Sequence, residues 1–259
     1  MAVVYAIPVI AMLMRSLNDP AWSLNHYAAL PLDFVFLKVF WLTLKTSFVV
    51  TLATLILGYP VALALSRGRS TAPLIMIVVL LPFWTSILVR SYAWMVLLGR
   101  NGLINDFLMH VGLVDRPIQL LNTTLATEIA MTHILLPYMI LPIANALRQI
   151  DPMLARAASG LGAKPWATFR QVTLPLSMPG VGVGALLVFV LALGFYITPA
   201  MVGGSRDITL SMLIAQQVEQ LNWGYAATLS SVLLATALLL IAFAQLLPGV
   251  GNAFRMNMR

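Results

Sequence analysis

Five stretches of this chain, residues 48–65, 72–89, 129–147, 181–201 and 229–247, contain no Asp, Glu, Lys or Arg. At 1.5 Å rise per residue, each approaches or reaches the roughly 20 apolar residues that carry a helix across a bilayer. The first stretch extends back toward Trp41, and the second continues past Arg90 to Gly99. Soluble domains carry about 25% charged residues, against 9% here, which argues against a water-soluble enzyme or binding module. Residues 2–17 are also apolar, but 16 residues cover only about 24 Å of a hydrocarbon core of roughly 30 Å. They are expected to form a short or tilted sixth helix. A secretory leader is disfavoured, because no basic residue precedes the apolar run and Arg15 follows it. The fold class expected is an all-α integral membrane bundle of six helices, or five plus a short N-terminal one.

Charge placement sets the expected orientation. If the N-terminus is inside and six helices alternate, the inner segments hold Arg67, Arg69, Arg148, Arg156, Lys164, Arg170, Arg255 and Arg259, with Asp151 as their one acid. The outer segments hold seven basic residues and seven acidic ones. Basic residues alone barely separate the sides. The loop bearing Arg67 and Arg69 and the block 148–170, which have almost no acidic company, place both on the cytoplasmic side by the positive-inside rule. The C-terminus is then cytoplasmic too. The net charge of +7 is accounted for by this placement without invoking nucleic acid.

Residues 151–179 are the most informative segment. Asp151 followed by Pro152 reads as a helix start, because Asp caps free amides and Pro is tolerated in the first turn. Gly162 suits a helix stop, and Pro165 a second start. Two short helices joined by a tight turn are therefore expected between two spans on the basic side. Such an element either docks against a cytoplasmic partner or lies at the interface with its Lys and Arg on lipid phosphates.

The run Ala157-Ala158, three residues, Gly162-Ala163, then Phe169, Val172, Leu174-Pro175 and Pro179 resembles the EAA loop of the inner-membrane permeases of binding-protein-dependent ABC importers. The likeness covers roughly residues 20–247 and follows the spermidine/putrescine-type branch. It includes Leu81-Pro82-Phe83-Trp84 with Arg90 and Tyr92, then Asn101-Gly102-Leu103-Ile104-Asn105, Leu136-Pro137-Tyr138-Met139 and Gly203-Gly204. The resemblance implies a type I importer bundle. Residues 1–40 would be the first helix and an external loop, 41–247 the permease domain with its coupling loop at 151–179, and 248–259 a cytoplasmic tail. It also implies a second permease, a different chain in the polyamine-type branch, two ATPase subunits that bind ATP and Mg, and a periplasmic substrate-binding protein. Leu154, Arg156, Ala157, Ala158, Gly162, Ala163 and Phe169 would couple to the ATPase, moving as a lever. Arg156 stands where the family has an acid. No cofactor or metal is implied on this chain itself.

Within the spans, Arg90 and Glu128 are the ionisable residues that draw attention, and a structural ion pair between them is expected. Phe83, Trp84, Tyr92, Phe195 and Tyr196, with Trp94, offer faces for an organic cation, or serve as packing and interfacial belts. Arg90 would oppose a cationic cargo, so opine or amino-acid-like solutes stay open beside polyamines. His133 reads as a helix–helix hydrogen-bonding residue. Gly180, Gly182 and Gly184 read as close helix packing, because the strand and helix context of a nucleotide-binding loop is lacking. No Gly-Lys dipeptide exists for an ATP-binding loop, so ATP hydrolysis falls to a partner. Zero cysteines exclude disulfides and a thiol nucleophile, and His26, His110 and His133 are too dispersed for an intramembrane enzyme. A proton-coupled secondary transporter is the competing reading. It wants buried midplane acids, which Glu128 alone supports poorly. Loops around 18–34, 99–122 and 203–224 are expected to face the binding protein.

Overall fold

The computed structural model describes residues 2–18, 22–68 and 71–246. The expected tail at 248–259, with Arg255 and Arg259, lies outside these residues, as does Arg69. In chain order the helices are α1 (Ala2–Leu17), α2 (Asn25–Ala29), α3 (Phe34–Ser66), α4 (Ala72–Leu80), α5 (Ile87–Leu98), α6 (Leu103–His110), α7 (Thr124–Arg148), α8 (Pro152–Gly160), α9 (Pro165–Thr168), α10 (Leu174–Leu193), α11 (Ile197–Val202), α12 (Leu210–Glu219) and α13 (Trp223–Leu246). Among the described residues there is no strand, as the apolar pattern requires. Among the described residues, four helices are long and apolar enough to cross a membrane: α3, α7, the continuous Pro165–Leu193 rod and α13. Residues 6–17 of α1 form a shorter apolar helix, matching the expected short first one.

The expected spans are corrected in three places. α3 begins at Phe34, earlier than 41 or 48, and carries Lys38 and Lys45. Long lysine stems lie along apolar surface while their charged ends reach water, so these two need not end the helix. The expected continuous helix at 72–99 is interrupted. α4 passes into a 3-10 turn, Leu81–Trp84, with Pro82 in its first positions, and Thr85 is extended before α5 begins. Proline lacks the amide that would continue the helix. The fourth apolar stretch, expected at 181–201, starts earlier and stops at Leu193, and α11 begins afresh at Ile197 after Gly194.

The chain packs as two compact units. One unit comprises, among the described residues, 2–18, 22–48, 87–131 and 192–239. Its core holds Leu30, Phe36, Val39, Leu210, Leu213 and Leu229, with a second cluster of Leu98, Ala126, Ala130 and Val202. Polar ties cross it. The Thr43 hydroxyl accepts the Leu210 N–H at 2.8 Å, and Ser91 pairs with Thr198 at 2.8 Å. Asp33 caps α3 through Val35 N–H at 2.8 Å and receives the Tyr225 hydroxyl at 2.6 Å.

The other unit comprises, among the described residues, 49–68, 71–86, 132–191 and 240–246. Its helices approach closely where small residues allow it. A Cβ on Gly180 would lie 2.5 Å from Ala146 Cβ and 2.7 Å from Pro142 O, and one on Gly184 would lie 3.0 Å from Met139 Sδ. The close-packing expectation therefore holds at Gly180 and Gly184. Tyr59 on α3 pairs its hydroxyl with Ser177 on α10 at 2.8 Å.

Candidate functional site

α8 starts as the sequence dictates. Asp151 is extended, and its carboxylate accepts the Met153 N–H at 2.8 Å, with Pro152 in the first turn. The helix stops through Gly162, whose φ of +83° is the left-handed region that glycine enters without strain. Gly162 N–H donates to Ser159 O and Ala163 N–H to Ala158 O, both at 3.0 Å. Those two bonds are the Schellman ending.

The second helix of the segment departs from expectation. It does not stand alone, because α9 runs through a π turn at Phe169–Thr173 directly into α10. A wide turn just before Pro175 relieves the clash that a proline ring makes with the preceding turn of a regular helix. The result is one 29-residue helix, Pro165–Leu193, rising from the segment. Its base is braced by rings. Trp166 stacks on Phe169 with centroids 5.4 Å apart, and Phe169 meets Tyr59 edge-on at 5.9 Å. Arg148 at the foot of α7 reaches the Leu65 carbonyl of α3 at 3.5 Å.

The residues singled out in the sequence divide between two faces of this element. Ala155, Ala158 and Ala163 are half-buried, whereas Met153, Leu154, Arg156, Ala157, Gly160 and Leu161 are exposed. Leu161 is 90% exposed. Trp166 shows much of its ring as well, while Phe169 is half-buried. Together these exposed side chains make an apolar surface with one arginine on it.

The proposed pathway residues do not all fall in one unit. Phe83 and Trp84 belong to the second unit, where Phe83 packs on Tyr138 at 5.1 Å and Trp84 is exposed. A cavity of about 410 Å3 in that unit is walled by Val61, Leu74, Val78, Pro82, His133 and Pro137. His133 is exposed on it. Arg90, Tyr92, Glu128, Phe195 and Tyr196 belong to the first unit. Arg90 is half-buried in the first turn of α5, and Tyr92 is exposed. Glu128 is half-buried within the electrostatic reach of Lys45 and Asp207. The Phe195 carbonyl receives the Ser211 hydroxyl at 2.6 Å, and Tyr196 precedes α11.

Sequence reasoning passed over a polar junction at the start of α7. Asp207 accepts the Thr124 hydroxyl at 2.5 Å and the Gly204 N–H at 3.2 Å. Asn122 adopts φ +62° and donates its N–H to Val202 O at 3.0 Å. A Cβ on Gly204 would lie 2.5 Å from Asn122 O, and one on Gly203 would lie 2.5 Å from Pro199 O, so both glycines are sites of close backbone approach. The dipeptide was the visible signal. A second such clamp is Asn105, fully buried, which binds Gly99 O at 3.1 Å and both backbone groups of Ile118 at 3.0 Å.

Residues 54–250 match the family model of the binding-protein-dependent transport system inner membrane component. The chain is 36% identical over 209 residues to the spermidine/putrescine transport system permease protein PotB of Haemophilus influenzae, covering 80% of this chain and 73% of that one. It is 34% identical over 214 residues to the PotB of Escherichia coli K12, covering 82% and 78%. In fold it is similar to a chain of a bacterial alginate ABC transporter crystallised with an alginate-bound periplasmic protein. The TM-score is 0.76 at 19% identity, over 93% of this chain and 86% of that one.

Proposed function

The chain belongs to the family of binding-protein-dependent transport system inner membrane components, and from that membership we propose how it is driven and what it carries. It is a multi-pass membrane permease subunit of an ABC importer. Importers of this family work with a partner permease, an ATPase and a substrate-binding protein. In our reading the assembly has one different permease chain, two ATPase subunits that hold ATP and Mg, and one periplasmic binding protein. The loop after α3, the segment from α8 to α9 and the C-terminus then lie in the cytoplasm, in keeping with their basic residues.

Coupling runs through Leu154, Arg156, Ala157, Ala158, Gly162, Ala163 and Phe169. The ATPase pair closes on ATP and displaces α8. The displacement passes through the Trp166–Phe169–Tyr59 ring contacts into the continuous helix Pro165–Leu193. That continuity is the observation carrying the coupling reading, because a rigid rod transmits a push that a flexible loop would absorb. Proline-interrupted helices lining a pathway then rearrange between inward-open and outward-open states.

The cargo is a polyamine such as spermidine or putrescine. The observation behind this is 34–36% identity, over about four-fifths of the chain, to permeases named for those solutes. Phe83, Trp84, Tyr92, Phe195 and Tyr196 would line its route with aromatic faces that attract ammonium groups, and Glu128 would attract it at one end of α7. The test is uptake of radiolabelled spermidine and putrescine into proteoliposomes containing the purified complex with its binding protein outside and ATP inside. ATP-dependent uptake blocked by excess unlabelled polyamine supports the reading. Uptake of an amino acid or opine but of neither polyamine refutes it.

A further inference from the structure

α8 offers its partner a face with one cation in the middle. Counting by helical spacing, Met153, Arg156, Ala157 and Gly160 follow one another along one side, and all four are exposed. Arg156 is flanked by a flexible apolar side chain and by two positions whose small size permits close approach. Leu154 and Leu161 widen the apolar surround, and both are exposed. A partner that covers this face takes water away from the guanidinium.

The chain holds no compensating charge nearby in sequence. Residues 148–170 contain Arg148, Arg156, Lys164 and Arg170 against the single acid Asp151. Asp151 is held at the start of α8, its carboxylate accepting the Met153 N–H as the helix cap, and is not a one-turn neighbour of Arg156. Burying a cation without a counter-charge is strongly unfavourable, while a complementary charge fixes register and suppresses wrong partners. Arginine is also the cation best shaped for a two-point bond to a carboxylate.

We propose that the ATPase partner presents a carboxylate to Arg156 when it seats on α8, making a salt bridge that selects the ATPase subunit this permease accepts. The proposal rests on the coupling role given to α8 above. The small residues beside Arg156 argue for a shaped protein cleft over a lipid headgroup, because a fluid headgroup layer gains nothing from Ala157 and Gly160.

The test uses the complex isolated from native membranes through a tag on this chain. In the Arg156→Lys variant, a water-soluble carbodiimide joins the new amine to a carboxylate in contact with it. One amide bond forms, and the water lost is taken up by the carbodiimide as a urea. Mass spectrometry of the digest is expected to show a peptide spanning position 156 linked to an Asp- or Glu-containing peptide of the ATPase, absent from the wild-type complex. Arg156→Glu is expected to weaken ATPase retention about tenfold or more, and changing the identified acid to Arg is expected to restore it. Arg156→Glu sits on an exposed position, and an unchanged melting temperature confirms that its fold is intact.

A wild-type complex that retains ATPase, with Arg156→Glu retaining it equally and no link from position 156, overturns the salt bridge and leaves the coupling role standing. Wild-type protein that retains no ATPase overturns both. Loss of binding to phosphatidylglycerol vesicles in Arg156→Glu, with ATPase retention unchanged, assigns the arginine to lipid phosphate and also overturns the proposal.

Discussion

Replacing Gly180 by Ala tests the packing that anchors the rod. The added Cβ would lie 2.5 Å from Ala146 Cβ, 2.7 Å from Pro142 O and 3.2 Å from Ile143 Cα. Two of these three atoms are backbone of α7, which cannot swing aside. The helices must therefore part by about 1 Å to reach ordinary carbon contact at about 3.5 Å. Overpacking of this kind costs about 1–3 kcal/mol, and a gap of that size forfeits about a quarter to a half of the dispersion energy along the seam. Alanine returns up to about 1 kcal/mol of helix propensity. The net expectation is a loss of about 2 kcal/mol, read as a fall in apparent melting temperature of about 4–8 °C by tryptophan fluorescence in detergent. Gly160→Ala is the control, since nothing lies within 4 Å of its Cβ, and it should melt at or slightly above the wild type. Gly184→Ala should fall between, because its nearest neighbour is the flexible Met139 Sδ at 3.0 Å. A Gly180→Ala protein that melts no lower than the Gly160→Ala protein would refute the close approach of α7 and α10.

Gly162→Asn should be tolerated, because Asn enters the left-handed region readily, whereas Gly162→Val should lose about 1–2 kcal/mol of local stability. Gly162→Asp should insert normally yet uncouple ATP hydrolysis from uptake, and normal uptake with normal ATPase stimulation would count against the lever. Asp207→Ala strands the Thr124 hydroxyl and the Gly204 N–H, costing about 2 kcal/mol; in a Thr124→Val background the same change should cost less, which a double-mutant cycle in thermal melts will show. The Tyr225 hydroxyl bond, more than the backbone N–H groups of Phe36 and Val35, holds the Asp33 carboxyl below its ordinary value of 3.8. A lowered carboxyl stabilises the fold above that ordinary value and ceases to as pH falls through the lowered one. The melting-temperature gap between wild type and Tyr225→Phe should therefore be present at pH 6 and shrink below pH 3.8; a gap constant down to pH 3 would remove Asp33 from the explanation.

The apolar spans were legible because the bilayer allows only helices there, and an uncharged run is conspicuous in sequence. Their ends were harder to place. The expected start near Trp41 fell short of Phe34, since the stem of Lys38 can lie along a helix that continues. Pro82 was visible, yet whether it bends a helix or ends it depends on the neighbouring backbone, and here a 3-10 turn and extended Thr85 follow. Asp151, Gly162 and Pro165 gave the ends of α8 and the start of α9, because capping is local chemistry. The merging of α9 with α10 was not legible, since Pro175 marks a disturbance of the helix but does not say whether a π turn or a break will accommodate it. The Asp207–Thr124 junction spans 83 residues in sequence, and pairing at that distance leaves no periodic trace. The glycine pair beside it did leave one.

Co-purification tests the central claim most directly. The tagged chain is extracted from its own membranes in a mild detergent, and ATP hydrolysis is assayed on the eluate, with and without a second permease and binding protein. The account predicts an ATPase recovered with this chain and a second, different permease, and hydrolysis that rises when the loaded binding protein is added. A folded chain recovered repeatedly without any ATPase, whose reconstituted vesicles take up solute under a proton gradient alone, would contradict it.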